Sequence, residues 1–478
     1  MDTLKNTIMK IEQIYTGCLA QGAYYIVSEN EAVIIDPLRE TDPYIKRAEE
    51  DGVKIKYILE THFHADFVSG HVDLAKKTGA TIIYGPNANP SYPVHLASDG
   101  EIIKFGKLSI KVLHTPGHTM ESTCFLLLDE TGKETALFSG DTLFIGDVGR
   151  PDLAQKAETI TQEQLAGLLF HSLRTKIMNL PDDVVVYPAH GAGSACGKNM
   201  SKETTDLLGN QKKTNYALRE NMTESEFVKE VTDGLLPPPG YFGMNVAMNK
   251  QGYDEYETVL KRGLNSLSIQ SFETILNDTD DILVLDTRNA SEFANSFIPG
   301  SISIGLEGQF APWVGALIPD VKQKIALVTE IGKEEETIRR LSRVGYDNVV
   351  GYLEGGIENW KSSGKETDSI ERISAQDLEK EIDTKSTIID VRKPGEFQAE
   401  HIENVPNIPL DYLNEHMQEF PKNDPFILHC AGGYRSIIAA SILKSRGYNQ
   451  VKDVIGGYAA ISKTNIKRTN FVCPSTLK

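Results

Sequence analysis

The chain has 478 residues, 40% hydrophobic and 24% charged, ordinary proportions for a soluble globular protein. At roughly 100–200 residues per domain, this length predicts two to four domains, each large enough for its own core. The formal charge of -18, from 67 acidic against 49 basic residues, repels phosphate backbones and anionic lipid and so argues against nucleic-acid and membrane partners.

The opening MDTLKNTIMKIEQIYTG lacks the apolar core of a secretory signal, and no stretch approaches the ~18 apolar residues of a membrane helix. The five cysteines, Cys18, Cys124, Cys196, Cys430 and Cys473, are odd in number and show no paired spacing. That pattern speaks against a disulfide framework and predicts a reducing, cytoplasmic setting in which single cysteines can react.

In chain order, EAVIIDP, KIKYILETH, ATIIYG, LSIKVLHTPGH, TALFSGD and DVVVYPAH read as strands that end in polar or ligand-type residues. GHVDLAKKTGA and TQEQLAGLLFHSLRTKI read as helices between them. This interleaving predicts an α/β layered domain with its functional groups where strands give way to loops.

The strongest signal here is THFHAD, directly after the strand KYILE, with His62, His64 and Asp66 alternating along an extended turn. Further donors close later strands: His118 in HTPGHT, Asp141 in FSGDT and His190 in YPAHG. One cleft at a sheet edge can gather them into a metal site. Arg150, in GDVGRPDL, is open to two readings: a clamp for an anionic substrate, or a structural ion pair. Cys196, in GAGSACGK, either handles sulfur near that cleft or is a small buried hydrophobe. Cys18 and Cys124 are expected in the core, and Cys473 is expected to be incidental.

Three prolines, Pro237 to Pro239, open LLPPPGYFGMNVAMNKQGYDEY. They cannot continue a helix and predict an extended connector, with a domain boundary near residue 262. An internal repeat follows. DILVLDTRNASEFANSFIPGSISI matches STIIDVRKPGEFQAEHIENVPNI, so that Asp286, Arg288, Glu292 and Phe293 correspond to Asp390, Arg392, Glu396 and Phe397. The reading is two tandem small α/β domains, about 265–365 and 370–470.

In the second copy the strand DPFILHC runs into Cys430, then a glycine-rich turn, Arg435 and a helical run. Backbone N–H groups and a helix N-terminus aimed at the sulfur stabilise a thiolate or persulfide, and Arg435 adds positive charge for an incoming anion. In the first copy, aligning KIALVTEIGKEEETI with PFILHCAGGYRSII puts Glu330 at the cysteine position and Glu335 at the arginine position. That copy is read as non-catalytic.

The first domain, 1–262 with its Pro-rich connector, resembles over about its first 240 residues the metallo-β-lactamase superfamily, whose loop is HxHxDH followed by a His, a bridging Asp and a final His. Phe67 stands where that loop has its last histidine. Within the superfamily the chain looks most like the persulfide dioxygenases. The resemblance implies one Fe(II) per domain held by His62, His118 and Asp141, with His64, Asp66 and His190 orienting ligands or holding water. The Cys430 loop, with four residues between cysteine and arginine, resembles the rhodanese active loop. The expected fold is therefore an αββα sandwich followed by two rhodanese-like α/β domains. The expected activity is oxidation of a low-molecular-weight thiol persulfide to sulfite and thiol, coupled to sulfur transfer among persulfide, sulfite and thiosulfate. The expected partners are those small molecules and O2, in a homo-oligomer. The competing expectation is a dinuclear zinc thioester hydrolase resembling glyoxalase II, fused to a sulfurtransferase.

Overall fold

The computed structural model describes residues 9–153, 160–198, 200–235, 237–279, 281–382 and 387–472; Cys473 lies outside them. The chain forms two compact units, one built on Met1–Tyr256, the other on Glu257–Leu341 and Tyr346–Lys478. Among the described residues no helix is long and apolar enough to cross a membrane.

The first unit is a pair of six-stranded sheets. One runs β1 (Lys10–Thr16), β2 (Gln21–Ser28), β3 (Glu31–Ile35), β4 (Lys54–Glu60), β5 (Thr81–Tyr84) and β6 (His95–Leu96). The other holds β7 (Ile102–Phe105), β8 (Leu108–His114), β9 (Thr123–Leu128), β10 (Glu134–Gly140), β11 (Val185–Pro188) and β12 (Asp206–Leu207), in sequential order across the sheet. Alternate residues on β2 and β3 explain the layering. Tyr24, Ile26, Val33 and Ile35 pack between the sheets with Ile110, Val112, Phe125 and Phe138. Their neighbours Ala23, Tyr25, Ala32 and Ile34 face outward onto Tyr44 and Ala48 of the helix Asp42–Asp51 and Leu74 of the helix His71–Thr78. Each of these strands is thus buried on both faces, which is why it reads as an unbroken apolar run. The helix Gln162–Ser172 covers the second sheet through Ala166 and Leu169, and a full capping box at Thr161 and Gln164 starts it.

The proline-rich segment does more than connect. After Pro237–Pro239 the chain forms the helix Phe242–Gln251, whose Asn245 and Asn249 are fully buried. The expected extended connector is therefore corrected: this helix is part of the first unit and packs behind the THFHAD loop.

The second unit contains two parallel sheets. The first module has the order β13 (Ser266–Leu267), β17 (Val349–Leu353), β16 (Lys324–Val328), β14 (Ile282–Asp286) and β15 (Ile302–Ser303). The second has β18 (Glu371–Ile373), β21 (Val451–Val454), β20 (Phe426–His429) and β19 (Thr387–Asp390). The repeat read from sequence is structural. Arg288 pairs with Asp286 through Nη2 at 2.6 Å, and Arg392 pairs with Asp390 in the same way at 2.6 Å.

Strand register corrects one alignment. Asp286 pairs with Val328 and Asp390 with His429, so the residue in register with Cys430 is Thr329, not Glu330. The glycine pairs agree, since a Cβ on Gly356 would meet the Thr329 carbonyl and one on Gly457 would meet the Cys430 carbonyl. Five residues separate Val328 from the helix that starts at Glu334, against four between His429 and the helix that starts at Tyr434, so the loop is one residue longer in the first module, which a gapless alignment cannot register. The nucleophile is still absent there.

Candidate functional site

Thr61 seeds the metal site. Its N–H donates to Asp36 Oδ1 and its hydroxyl to Asp36 Oδ2, both at 2.8 Å. With its proton committed, Thr61 Oγ1 can only accept from His62 Nδ1, 3.0 Å away. His118 is set in the same way, because its Nδ1 lies 2.8 Å from the Arg150 carbonyl, which is purely an acceptor. Both imidazoles therefore carry their proton on Nδ1 and turn a bare Nε2 toward Asp141. His190 Nδ1 donates to Asp141 Oδ1 at 2.8 Å, leaving Oδ2 at 3.4 Å from His118 Nε2 and 3.9 Å from His62 Nε2.

The three donor atoms of His62, His118 and Asp141 converge within 4.8 Å, and all three residues are buried. His118 Nε2 and Asp141 Oδ2 have no hydrogen-bond partner. Lone pairs facing one another in a dry pocket repel unless a cation lies between them, so these residues fit a bound metal ion. Burial keeps the His62 imidazole neutral, with the His64 ring adding to the effect. Burial pushes the Asp141 carboxyl up, but His190, His118 and His62 outweigh it and hold the group well below the carboxylate range. Gly149 is needed beside the site, since a Cβ there would lie 2.0 Å from the Asp141 carbonyl.

His64 turns away from this trio. Its Nε2 faces Asp36 Oδ1 at 3.2 Å and Glu60 Oε2 at 3.9 Å, and its ring packs at a tilt against Phe67 with centroids 4.3 Å apart. Asp66 Oδ2 faces His190 Nε2 at 2.8 Å. Cys196 joins them, so Asp66, His190 and Cys196 form a separate donor cluster. Burial, and then the charges of Asp66 and Asp141, push the Cys196 thiol well up, which keeps it protonated. Arg150 is buried, with its fork filled by Asp152 at 2.6 and 2.7 Å and Nη1 on the Ala195 carbonyl at 3.2 Å. Of the two readings left open by sequence, the structure displays the ion pair. Cys124 is core, as expected, its thiol raised by burial to about 11.

Several supports have no sequence signal of their own. Asn249 Nδ2 donates to the His64 and Phe67 carbonyls at 2.8 Å each, and its Oδ1 accepts Ser69 N–H at 2.9 Å. Glu121 accepts the Phe63 N–H at 3.1 Å. Asp36 alone was foreshadowed, as the acidic end of the strand VIID.

In the second module Cys430 follows β20 and is 1% exposed. Its Sγ accepts Gly433 N–H at 3.1 Å and the Ser436 hydroxyl at 3.4 Å. Gly433, at φ +99°, turns the chain into the helix Tyr434–Ser445. Arg435, expected as the anion's countercharge, makes a bidentate pair with Glu396 at 2.6 and 2.8 Å. Of its five N–H donors others remain for a ligand.

The fold and these sites define a metal-binding αββα sandwich followed in sequence by two rhodanese-like α/β modules. Residues 16–190 match the metallo-beta-lactamase superfamily, and residues 268–363 and 374–464 match the rhodanese-like domain. The chain is 31% identical over 223 residues to the mitochondrial persulfide dioxygenase ETHE1 of Homo sapiens, covering 46% of this chain and 78% of that protein. It is 34% identical over 168 residues to a hydroxyacylglutathione hydrolase of Francisella philomiragia, covering 35% of this chain and 61% of that protein. A solved metallo-beta-lactamase from Staphylococcus aureus superposes with a TM-score of 0.64 at 33% identity, covering 72% of this chain and 98% of that one. The chain belongs to the metallo-β-lactamase superfamily and carries two rhodanese-like domains behind that fold.

Proposed function

We propose that the first unit oxidises a low-molecular-weight thiol persulfide to sulfite and free thiol, and that Cys430 transfers sulfane sulfur. The single observation that carries this reading is the donor count. Three atoms, from His62, His118 and Asp141, converge on one point, while His64 faces Asp36 and Phe67 puts an apolar ring where the family loop has a histidine. Two imidazoles and one carboxylate suit a single ferrous ion with open positions. Such an ion would supply an acceptor for the persulfide anion and for dioxygen.

The protein's own groups do the rest. Thr61 and the Arg150 carbonyl hold both histidines with Nε2 inward. His190 braces Asp141 from the other side. The overall change, persulfide plus O2 plus water to thiol plus sulfite, takes two oxygens from O2 and one from water. In the second unit the Cys430 thiolate attacks the outer sulfur of a persulfide, and the S–S bond breaks to release thiol. Sulfite then takes that sulfur to form thiosulfate and regenerates the thiolate. Gly433 N–H and the remaining Arg435 donors stabilise the sulfur anion.

A second reading has its own observation. Asp66, His190 and Cys196 could hold a second ion, as a dinuclear thioester hydrolase would require. Metal analysis of anaerobically purified protein, with an oxygen electrode and glutathione persulfide, separates the two. One iron per chain and oxygen uptake are expected. Two zinc ions and thioester cleavage without oxygen uptake would overturn the dioxygenase reading.

A further inference from the structure

A polar chain leads from the Cys430 thiol into the core of its module. Ser436 donates its hydroxyl to Cys430 Sγ at 3.4 Å and also lies against the Asp453 carboxyl. Asp453, on β21, is fully buried. Its Oδ2 takes Arg372 Nε at 2.9 Å, whereas its Oδ1 is left without a well-formed hydrogen bond. Arg372, on β18, is held at its far side by Ser291 of the first module, whose Oγ accepts Nη1 at 3.0 Å.

The repeat provides an internal control. Asp453 pairs with Leu428 and Arg372. In register, Tyr352 pairs with Leu327 and Ser266. The module without a thiol thus has Tyr352 and Ser266 where the other has Asp453 and Arg372, and its matching helix opens with Glu334, Glu335 and Glu336 in place of Ser436. The buried Asp286–Arg288 and Asp390–Arg392 pairs, in contrast, occur in both modules. What the shared fold requires is duplicated; Asp453, Arg372 and Ser436 accompany only the sulfur.

We infer that Asp453 is a positioning residue for Cys430, using Ser436 to decide whether a proton donor or acceptor faces the sulfur. A protonated Asp453 donates from Oδ1 to Ser436 Oγ, and the Ser436 O–H then points at Cys430 Sγ and favours the thiolate or persulfide anion. An ionised Asp453 takes the Ser436 O–H for itself, and Ser436 Oγ accepts the thiol S–H instead. Between the two states the thiol proton passes to Ser436 Oγ as the Ser436 proton passes to Asp453 Oδ1, with no change in oxidation state. Burial lifts the Asp453 carboxyl to about 6 against the pull of Ser436 and Arg372, so both states are accessible near neutral pH. The groups that act on it are Ser436 from the helix and Arg372 from β18, with the Cys430 thiol beyond Ser436. Burial holds the His429 imidazole neutral.

This inference rests on the reading of Cys430 as the reactive thiol. The test is the rate at which iodoacetamide alkylates Cys430 in the full chain, mapped by peptide mass from about pH 5 to about pH 10. Two inflections are expected, the lower near 6. Asp453→Asn, whose amide stands in for the protonated acid, should lose the lower inflection and react several-fold faster at neutral pH. Ser436→Ala, a smaller change that leaves the Arg372 pair intact, should also lose it and react more slowly. A single inflection in the parent, or a lower one that survives in both variants, overturns the inference. A Cys430 that neither alkylates nor carries sulfur at any pH sinks the sulfurtransferase reading instead.

Discussion

Asn249 donates its side-chain amide to the carbonyl of His64 at 2.8 Å, across 185 residues of chain. The same amide group holds the Phe67 carbonyl and the Ser69 N–H, so one residue of a helix after the prolines fixes the backbone of the metal loop. An exposed turn bearing three donors would fluctuate; this one is pinned from behind by a fully satisfied buried amide.

Asn249→Ala should therefore leave two carbonyls and one N–H buried and unpaired. At about 1–3 kcal/mol for each orphaned group, the expected destabilisation of the first unit is about 3 kcal/mol or more. Metal content should fall with it. Thermal unfolding and metal analysis on the same preparation check both, and a variant with unchanged metal content would show that the loop does not need this brace.

Gly149→Ala would place a methyl 2.0 Å from the Asp141 carbonyl and 3.0 Å from His118 Nδ1. The carbonyl belongs to backbone and cannot swing aside, so two ligands move at once. Metal affinity is expected to drop by about 10–100-fold, as when groups supporting a ligand are lost. Competition with a chelator of known affinity measures it.

Cys430→Ser should abolish thiosulfate:thiol sulfur transfer and leave oxygen uptake with persulfide largely intact. The hydroxyl keeps the Gly433 N–H partner but forms no sulfane intermediate. Loss of both activities in this variant would mean that the labour is not divided between the two units as proposed.

The Asp453 carboxyl lies at about 6 in the folded chain against 3.8 as a free group. The folded state therefore binds the extra proton between those values. The stability this contributes is complete below the unfolded pKa and is lost as pH rises through about 6, by about 3 kcal/mol at most. Asp453→Asn removes this slope. Urea midpoints of parent and variant across that window should diverge with the variant gaining relative stability as pH rises, and parallel curves would contradict the assignment.

Much of the site is legible in the chain itself. The strands around His62, His118, Asp141 and His190 announce themselves as apolar runs ending in donors, because burial on both faces leaves no room for polar residues until the strand leaves the sheet. The thiol loop is equally local: a strand ending at His429, then Cys430, a glycine at positive φ, Gly433, and a helix starting at Tyr434 follow one another directly. The Thr329 register was not legible, since the loop in the first module is longer by one residue and only strand pairing reveals it.

The order of residues by itself determined which donors exist, where the repeat falls, that an apolar ring, Phe67, follows Asp66, and that the first copy of the repeat carries no cysteine. Short-range patterns settle such matters because they need only neighbouring residues. Tertiary structure alone decided which nitrogen His62 and His118 turn inward, that Asp152 fills the Arg150 fork, that Asn249 stands behind the THFHAD loop and that Asp453 is buried against Arg372. Those outcomes depend on hydrogen bonds between residues far apart in the chain, formed once packing has excluded water, and no local spacing encodes them.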